Sequence, residues 1–374
     1  MSKRRTKTLE KLIDASRDLF SSKWFETVSV AEICREAGVS NGVFYRYFKN
    51  KKGIFEYQLN ELIKFFDREF NSIRGVTIED RLNKFLDIVI ESSLKYKKQI
   101  TIYREAQYRF PEYEKRLRRI YITGISRIFN RDISEAEYLY IAGAVRFINI
   151  RNLFNGKEYQ KEQLKDIILN GIFYNDEVNF ESVFNKELVN VDKKERDDTR
   201  NRLLNSGIQL FGSKGYYNVN IYDIVKEAGY AIGTFYIYFN SKEEFLSTIV
   251  KKISKLTRRF ITKNSEFSKN RLERELRGIY LFLKFFSENK NYYEIVREAE
   301  FVVNKDVRDY YESFEKGYLK NLVNIKYDAD ILVSNILMGI SHYMGIEKFF
   351  LQKIDDEKMI IKELKIYITN GIKK

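Results

Sequence analysis

The 374-residue chain contains one proline, one cysteine and one histidine. A lone proline, Pro111, leaves nearly all of the chain open to helix, since proline removes a backbone donor and clashes inside helices. A lone cysteine, Cys34, excludes an intrachain disulfide and fits a reducing compartment. Cys34 also has no companions at metal-ligand spacing, and His342 stands alone for acid–base chemistry. With no phosphate-binding glycine loop either, the chain carries no recognisable parts of an enzyme and implies no cofactor. Long apolar runs are missing: stretches such as Ile331–Ile340 fall short of the ~20 residues that span a bilayer. The opening MSKRRTKTLEKL lacks a secretory apolar core. The expectation is a cytoplasmic protein without a membrane partner.

What is abundant is positive charge and helix-forming sequence. Lys and Arg number 67 against 53 Asp and Glu, a net +14, so an anionic partner such as nucleic acid is expected. Aromatics reach 15% of residues, but they accompany frequent Ile, Lys and Asn, the signature of an AT-rich genome rather than of binding pockets. Leu9, Leu12, Ile13, Ser16, Leu19 and Phe20 fall on one helical face, and Leu203, Leu204, Gly207, Leu210 and Phe211 repeat the pattern. The fold class expected is all-α.

The repetition is systematic. GVSNGVFYRYF (Gly38–Phe48) returns as GYAIGTFYIYF (Gly229–Phe239), 191 residues later. Arg104-Glu105-Ala106 returns as Arg297-Glu298-Ala299, and Gly143 of IAGAVRFINIRNLF matches Gly339 of ILMGISHYMGIEKFF. A period near 190 residues is too long for a solenoid and describes a duplicated domain pair. The expected divisions are 1–52, 53–185, a charged connection at 186–198, 199–243 and 244–374. From Asp192 on, the connection is expected to prolong the first helix of the second copy.

Each copy places a short amphipathic helix, a glycine turn and a third short helix in succession. Ser29-Val30-Ala31-Glu32 has the form of a capping box; Val30, Ile33, Cys34 and Ala37 form a buried stripe. Ser40 is placed to cap the third helix and Asn50 the fourth. Phe44 and Phe48 point inward with Val39, which turns Asn41, Val43, Tyr45 and Arg46 to solvent. A short helix presenting polar groups from its N-terminal end is a helix-turn-helix DNA reader, whose helix N-termini also favour phosphate.

On these residues, SVAEICREAGVSNGVFYRYFKNKKGIF and NIYDIVKEAGYAIGTFYIYFNSKEEFL resemble the DNA-binding domain of the tetracycline-repressor (TetR) family of bacterial transcription regulators. The resemblance covers about 45 residues of each copy and implies two modules, each a three-helix reader followed by a helical bundle that holds an effector and pairs with a second bundle. It implies phosphate contacts from Ser29, Tyr45, Tyr47 and Lys51, and base contacts from Ser40, Asn41 and Val43, with Gly42 and Arg46 in the same helix. In the second copy it implies Asn220, Tyr236, Tyr238 and Lys242 at phosphates, and Ala231, Ile232 and Thr234 at bases around Gly233. Ala231 departs from the usual cap residue, and Arg46 becomes Ile237.

Charge separates the copies as well. Residues 1–52 hold 12 Lys/Arg and 6 Asp/Glu; residues 192–243 hold 8 and 7. The first reader is therefore expected to bind DNA more tightly and with the steeper salt dependence. Either the second helix reads a different half-site, with Ile232 and the Thr234 methyl against thymine methyls, or the second module has drifted into a supporting role. Lys3, Arg4, Arg5 and Lys7 form either a minor-groove arm or a solvated tail.

In the remaining halves, 66–185 and 257–374, the helices around 136–154 and 162–174 would meet 327–351 and 357–373. That gives an intramolecular pseudo-dimer, the alternative being a homodimer with four readers. Within the bundles Tyr103, Arg104, Tyr108, Arg297 and Phe301 are the effector candidates. Adjacent Arg and Glu lie on different helix sides, so at most one of each pair is expected to face inward, as an anchor for an anionic head or as a structural ion pair. Resemblance to fatty-acid-responsive members implies a lipophilic, fatty-acid-like effector. The competing function is a constitutive or DNA-organising binder whose bundles are scaffold only.

Overall fold

The computed structural model describes residues 3–156, 160–189, 198–328 and 331–372. Among them the structure is helical, with one isolated antiparallel bridge, Phe173 to Ile325. In chain order the helices are α1 (Lys3–Ser22), α2 (Val30–Glu36), α3 (Asn41–Phe44), α4 (Lys51–Asn71), α5 (Ile78–Lys95), α6 (Lys97–Arg109), α7 (Pro111–Phe129), α8 (Glu135–Tyr138), α9 (Ala144–Asn155) and α10 (Lys161–Asn170). There follow α11 (Phe180–Phe184), α12 (Thr199–Lys214), α13 (Ile221–Ala228), α14 (Ile232–Tyr238), α15 (Lys242–Ser265), α16 (Arg271–Glu288), α17 (Lys290–Ala299), α18 (Asn304–Asn321), α19 (Ile331–Phe349) and α20 (Glu357–Asn370). Short 3₁₀ turns at Phe25–Thr27 and Tyr216–Asn218 precede α2 and α13, and a π-helical turn, Leu139–Gly143, joins α8 to α9. Of the expected connection at 186–198, residues 190–197 lie outside the described residues, as do the side chains of Lys3 and Arg4.

The chain divides into two compact units that do not follow the two sequence copies. One comprises 1–134 with 145–165; the other comprises 135–144 with 166–374. In the first unit the expected face of α1 is buried through Leu12, Ile13, Leu19 and Phe20. Buried Ser16 is satisfied: its hydroxyl donates to the Ile13 carbonyl at 2.9 Å and accepts from Gln58 Nε2 at 2.9 Å. Helix α4 runs from reader to bundle, and its Phe55, Phe66 and Phe70 carry the core. Phe70 packs on Phe85 (4.9 Å) and Tyr121 (5.0 Å). Each such ring contributes about 2–3 kcal/mol of burial. Gly124 lets α7 lie against that stack, since a Cβ there would stand 2.8 Å from the Phe70 ring.

The second unit repeats this plan from α12 to α20 and adds a contact of its own. The Ile172 N–H donates to the Ile368 carbonyl at 2.6 Å, and the Ile372 N–H donates to the Ile168 carbonyl at 3.1 Å. Both partners shift by 200 residues between the two bonds, so the pairing is self-complementary in the manner of an isologous dimer interface. Gly171 (φ +76°) and Gly371 (φ +65°) make it possible: a Cβ on either would come within 2.5 Å of the opposite backbone. Nearby, Gly143 sits against the Gly339 carbonyl (3.3 Å from a built Cβ), and the Tyr140 hydroxyl donates to the Ile167 carbonyl at 2.6 Å. The residues of 135–144 and 166–174 therefore pack with α19 and α20, which is why the unit boundary falls inside the first sequence copy. Helix α19 is buried nearly along its whole length. No helix among the described residues is long and apolar enough to cross a membrane.

Candidate nucleic-acid interface

Each reader is built on one buried pivot. Phe44 and Phe235 are fully buried and pack, with tilted rings, on Phe48 and Phe239 at 5.7 and 5.5 Å. Between the two helices of each motif stands a glycine in the left-handed region, Gly38 (φ +64°) and Gly229 (φ +78°), a conformation a side chain disfavours. With the phenylalanines anchored, the remaining residues of the third helix turn outward. Ser40, Asn41, Gly42, Tyr45 and Arg46 are exposed, and Val43 and Tyr47 are half-buried. In the second reader Ala231, Ile232, Gly233, Tyr236, Ile237 and Tyr238 are exposed and Thr234 is half-buried. Helix α3 closes after four residues, continuing as i→i−3 bonds from Arg46 and Tyr47, whereas α14 runs for seven.

Gly42 and Gly233 are informative because neither has a positive φ, and a Cβ on either would meet nothing within 4 Å. Glycine inside a helix costs roughly 1 kcal/mol against alanine, and nothing within the chain demands it at these two matching positions. A surface that admits a closely approaching partner does. The tyrosines agree: Tyr45 is 59% and Tyr236 54% exposed. Tyr47 is partly committed, its hydroxyl donating to the Arg5 carbonyl at 3.0 Å.

The helix caps differ between readers. Ser29 Oγ accepts from the Glu32 N–H at 3.1 Å, but the Glu32 carboxylate pairs with Lys23 instead of returning to Ser29, so only half of the expected capping box forms. Asn220 and Asp223 form the complete box (2.9 and 2.8 Å). A carboxylate therefore already occupies the N-terminus of α13, where a phosphate would otherwise be favoured. Ser40 is the N-cap of α3 by position but makes no capping hydrogen bond; Asn50 caps α4 through the Gly53 N–H at 3.0 Å.

Two residues expected at phosphates are spent elsewhere. Lys51 Nζ donates to the Phe25 carbonyl at 2.7 Å and lies 4.3 Å from the Phe25 ring centroid. Lys242 Nζ donates to the Tyr216 and Val219 carbonyls at 3.1 and 2.9 Å and lies 4.0 Å from the Tyr216 ring centroid. Burial lowers the pKa of both ammonium groups. These lysines hold the 3₁₀ turns. Ile237, the counterpart of Arg46, is 75% exposed. Sequence reasoning passed over Tyr222, 59% exposed on α13, for which an aromatic at an outward helix position was the available signal.

In the bundles, the expectation that only one residue of each Arg-Glu pair turns inward is overturned for the first copy. Arg104 and Glu105 are both buried, because α6 is covered by the bundle on one side and by the reader on the other. Tyr103 donates to Glu114 Oε2 at 2.7 Å, and Arg146 clamps the same carboxylate through both terminal nitrogens (2.7 and 2.9 Å), with Gln107 at 3.0 Å. Tyr108 is half-buried. In the second copy Arg297 is buried, with Nη1 3.1 Å from His342 Nε2 and Nη2 donating to Tyr311 Oη at 2.5 Å; Phe301 is half-buried. Among the described residues no group of His, Cys, Asp or Glu is placed to hold a metal ion.

Two outward-facing helix-turn-helix motifs on all-α bundles define a DNA-binding regulator. Comparison with known proteins gives the family. The model of the bacterial regulatory proteins of the tetR family matches at residues 12–57 and again at 203–249. YdgC of Bacillus subtilis (strain 168), an uncharacterized HTH-type transcriptional regulator, is 23% identical over 187 residues, covering 47% of this chain and 93% of that protein. The Tn10 TetC protein of Escherichia coli is 29% identical over 91 residues, covering 23% of this chain and 46% of its own length. The fatty acid degradation regulator FadR of Bacillus halodurans is a structural neighbour at 17% identity and TM-score 0.40, covering 48% of this chain and 98% of that one. The chain thus carries the DNA-binding domain of the tetR family of bacterial regulatory proteins twice in tandem.

Proposed function

We propose that the chain represses transcription as an intramolecular pseudo-dimer, its two unlike readers engaging an asymmetric operator. The observation that carries this reading is the reciprocal pair of hydrogen bonds, Ile172 to Ile368 and Ile372 to Ile168. An isologous face normally joins two identical chains; here both halves of it come from one chain. Freed from identity, the readers diverge: Asn41 and Arg46 offer polar contacts in the first, while Ile232, Thr234 and Ile237 suit thymine methyls in the second. Phosphate contacts fall to Ser29, Tyr45, Tyr47, Tyr236 and Tyr238, with Asn220, Lys51 and Lys242 engaged within the chain.

Binding-site selection with the purified full chain, with the mass of the complex measured in solution, tests the reading. One chain on two unlike half-sites is expected. A symmetric palindrome, or two chains per site, refutes it.

Release from DNA by a small lipophilic acid completes the proposal, with Arg297, His342 and Tyr311 receiving the acidic head. DNA dissociation by fatty acids of graded length is the test, and retention of DNA throughout the series counts against it. The first bundle favours the scaffold alternative for its own half: Glu114, fully buried, already supplies Arg146 with a carboxylate.

A further inference from the structure

The repeated Arg-Glu-Ala has a second use, visible only where α6 and α17 meet the readers. Both carboxylate oxygens of Glu105 accept from the Phe25 N–H, at 3.0 and 3.1 Å. Glu298, its counterpart in the second copy, accepts from the Tyr216 N–H at 2.6 Å. Phe25 and Tyr216 are the first residues of the two 3₁₀ turns. Their N–H groups are orphan donors of a helix start, and both residues are buried. The same turns are held at their carbonyls by Lys51 and Lys242, the first residues of the helices that lead into the bundles. Each turn is thus gripped by a carboxylate on its donor side and an ammonium on its acceptor side, matching the turn's own dipole. The carboxylate comes from one bundle helix and the ammonium from another.

We infer that Glu105 and Glu298 are positioning residues for DNA binding, each fixing its reader to its bundle through the 3₁₀ turn. Hydrogen bonds weaken steeply outside their narrow range of length and angle. A displacement of α6 relative to α4 by about an ångström therefore cannot keep both the glutamate and the lysine bond. The turn leads directly into α2, so it passes such a displacement to the helix-turn-helix. The two grips are unequal. In the first unit Arg109 pairs with Glu105 (3.2 Å) and Glu26 (2.5 Å) while lying over the Trp24 and Phe25 rings. Val302 stands at the matching place in the second copy, and there the Tyr216 hydroxyl donates to Glu243 at 2.8 Å instead.

This inference rests on the chain being a two-reader DNA regulator, and its test separates the two. Glu105→Ala and Glu298→Ala remove the acceptor, and Glu105→Gln and Glu298→Gln keep one. Amide hydrogen exchange at Phe25 and Tyr216 is measured in the full chain without DNA. Affinity is then measured for the full selected operator and for each half-site alone at low salt. The alanine variants are expected to speed exchange and to weaken full-operator binding roughly tenfold, the usual scale of coupling between sites. Half-site affinity should stay unchanged, and glutamine should restore the operator. Unchanged operator affinity despite faster exchange overturns the inference. So does a parallel loss on half-sites, which marks plain unfolding of the reader. Unchanged exchange overturns it independently of DNA, whereas a wild-type chain that binds no operator overturns only the functional reading.

Discussion

Replacing Glu105 by glutamine should make the first unit less sensitive to pH. Burial pushes the Glu105 carboxyl up to about 7 from 4.5, against the opposing pull of Arg109 and the Phe25 N–H. The folded state therefore holds this proton more tightly than the unfolded chain. The group's contribution to stability is complete below about pH 4.5, declines as pH rises, and is lost above about 7. At about 1.4 kcal/mol per pH unit, the interval corresponds to about 3 kcal/mol. Glutamine resembles the protonated acid: it keeps an acceptor for Phe25 and carries no charge. Near pH 5 the variant should match the wild type; by pH 8 it should gain up to about 3 kcal/mol relative to it, less whatever Arg109 loses. The chain's single tryptophan, Trp24, is buried beside this turn with Arg109 4.9 Å from its ring, so urea unfolding followed by its fluorescence reports the right unit. A stability gap between variant and wild type that stays constant from pH 5 to 8 refutes the reasoning.

Three further outcomes follow from contacts already described. Gly371→Ala places a Cβ 2.2 Å from the Leu169 carbonyl carbon at a positive φ; it should cost at least about 2 kcal/mol in thermal unfolding of the second unit. Glu114→Gln removes the charge from the buried carboxylate that Arg146 clamps and should destabilise the first unit by about 3–5 kcal/mol, measured by the same fluorescence. Arg46→Ala should cost operator binding about 1–3 kcal/mol as a lost base contact, whereas Lys51→Met should leave the slope of log affinity against log salt unchanged, because the Lys51 ammonium is committed to the 3₁₀ turn.

The duplication, the helix-turn-helix and its outward face were legible because they rest on local rules. The buried face of α1, the left-handed glycines and the anchored phenylalanines all follow from spacing over a few residues. Gly171 and Gly371 were not legible as an interface, because what excludes a side chain there is a backbone 200 residues away. The hold of Lys51 and Lys242 on the 3₁₀ turns was not legible for a related reason: a lysine after an aromatic-rich turn looks the same in sequence whether it meets a phosphate or a carbonyl. Arg104-Glu105 failed on geometry. Adjacent residues do diverge around a helix, but α6 is enclosed on both sides, so divergence does not leave either one exposed.

That failure also explains why the triplet recurs. In the first copy its arginine and the Glu114–Arg146 cluster are buried within the bundle, while its glutamate grips the reader. In the second copy the same spacing carries Arg297 to His342 and Glu298 to Tyr216. The constraint on the pair is that one helix must satisfy a bundle and a reader at once, and neighbouring residues are the shortest way to face both. The exposed Asn41 and Arg46 carry no such double duty, and Ile232 and Ile237 stand at the matching positions while both grips are present. Divergence on the exposed face, with the grip behind it retained, is in keeping with the proposed pair of unlike half-sites.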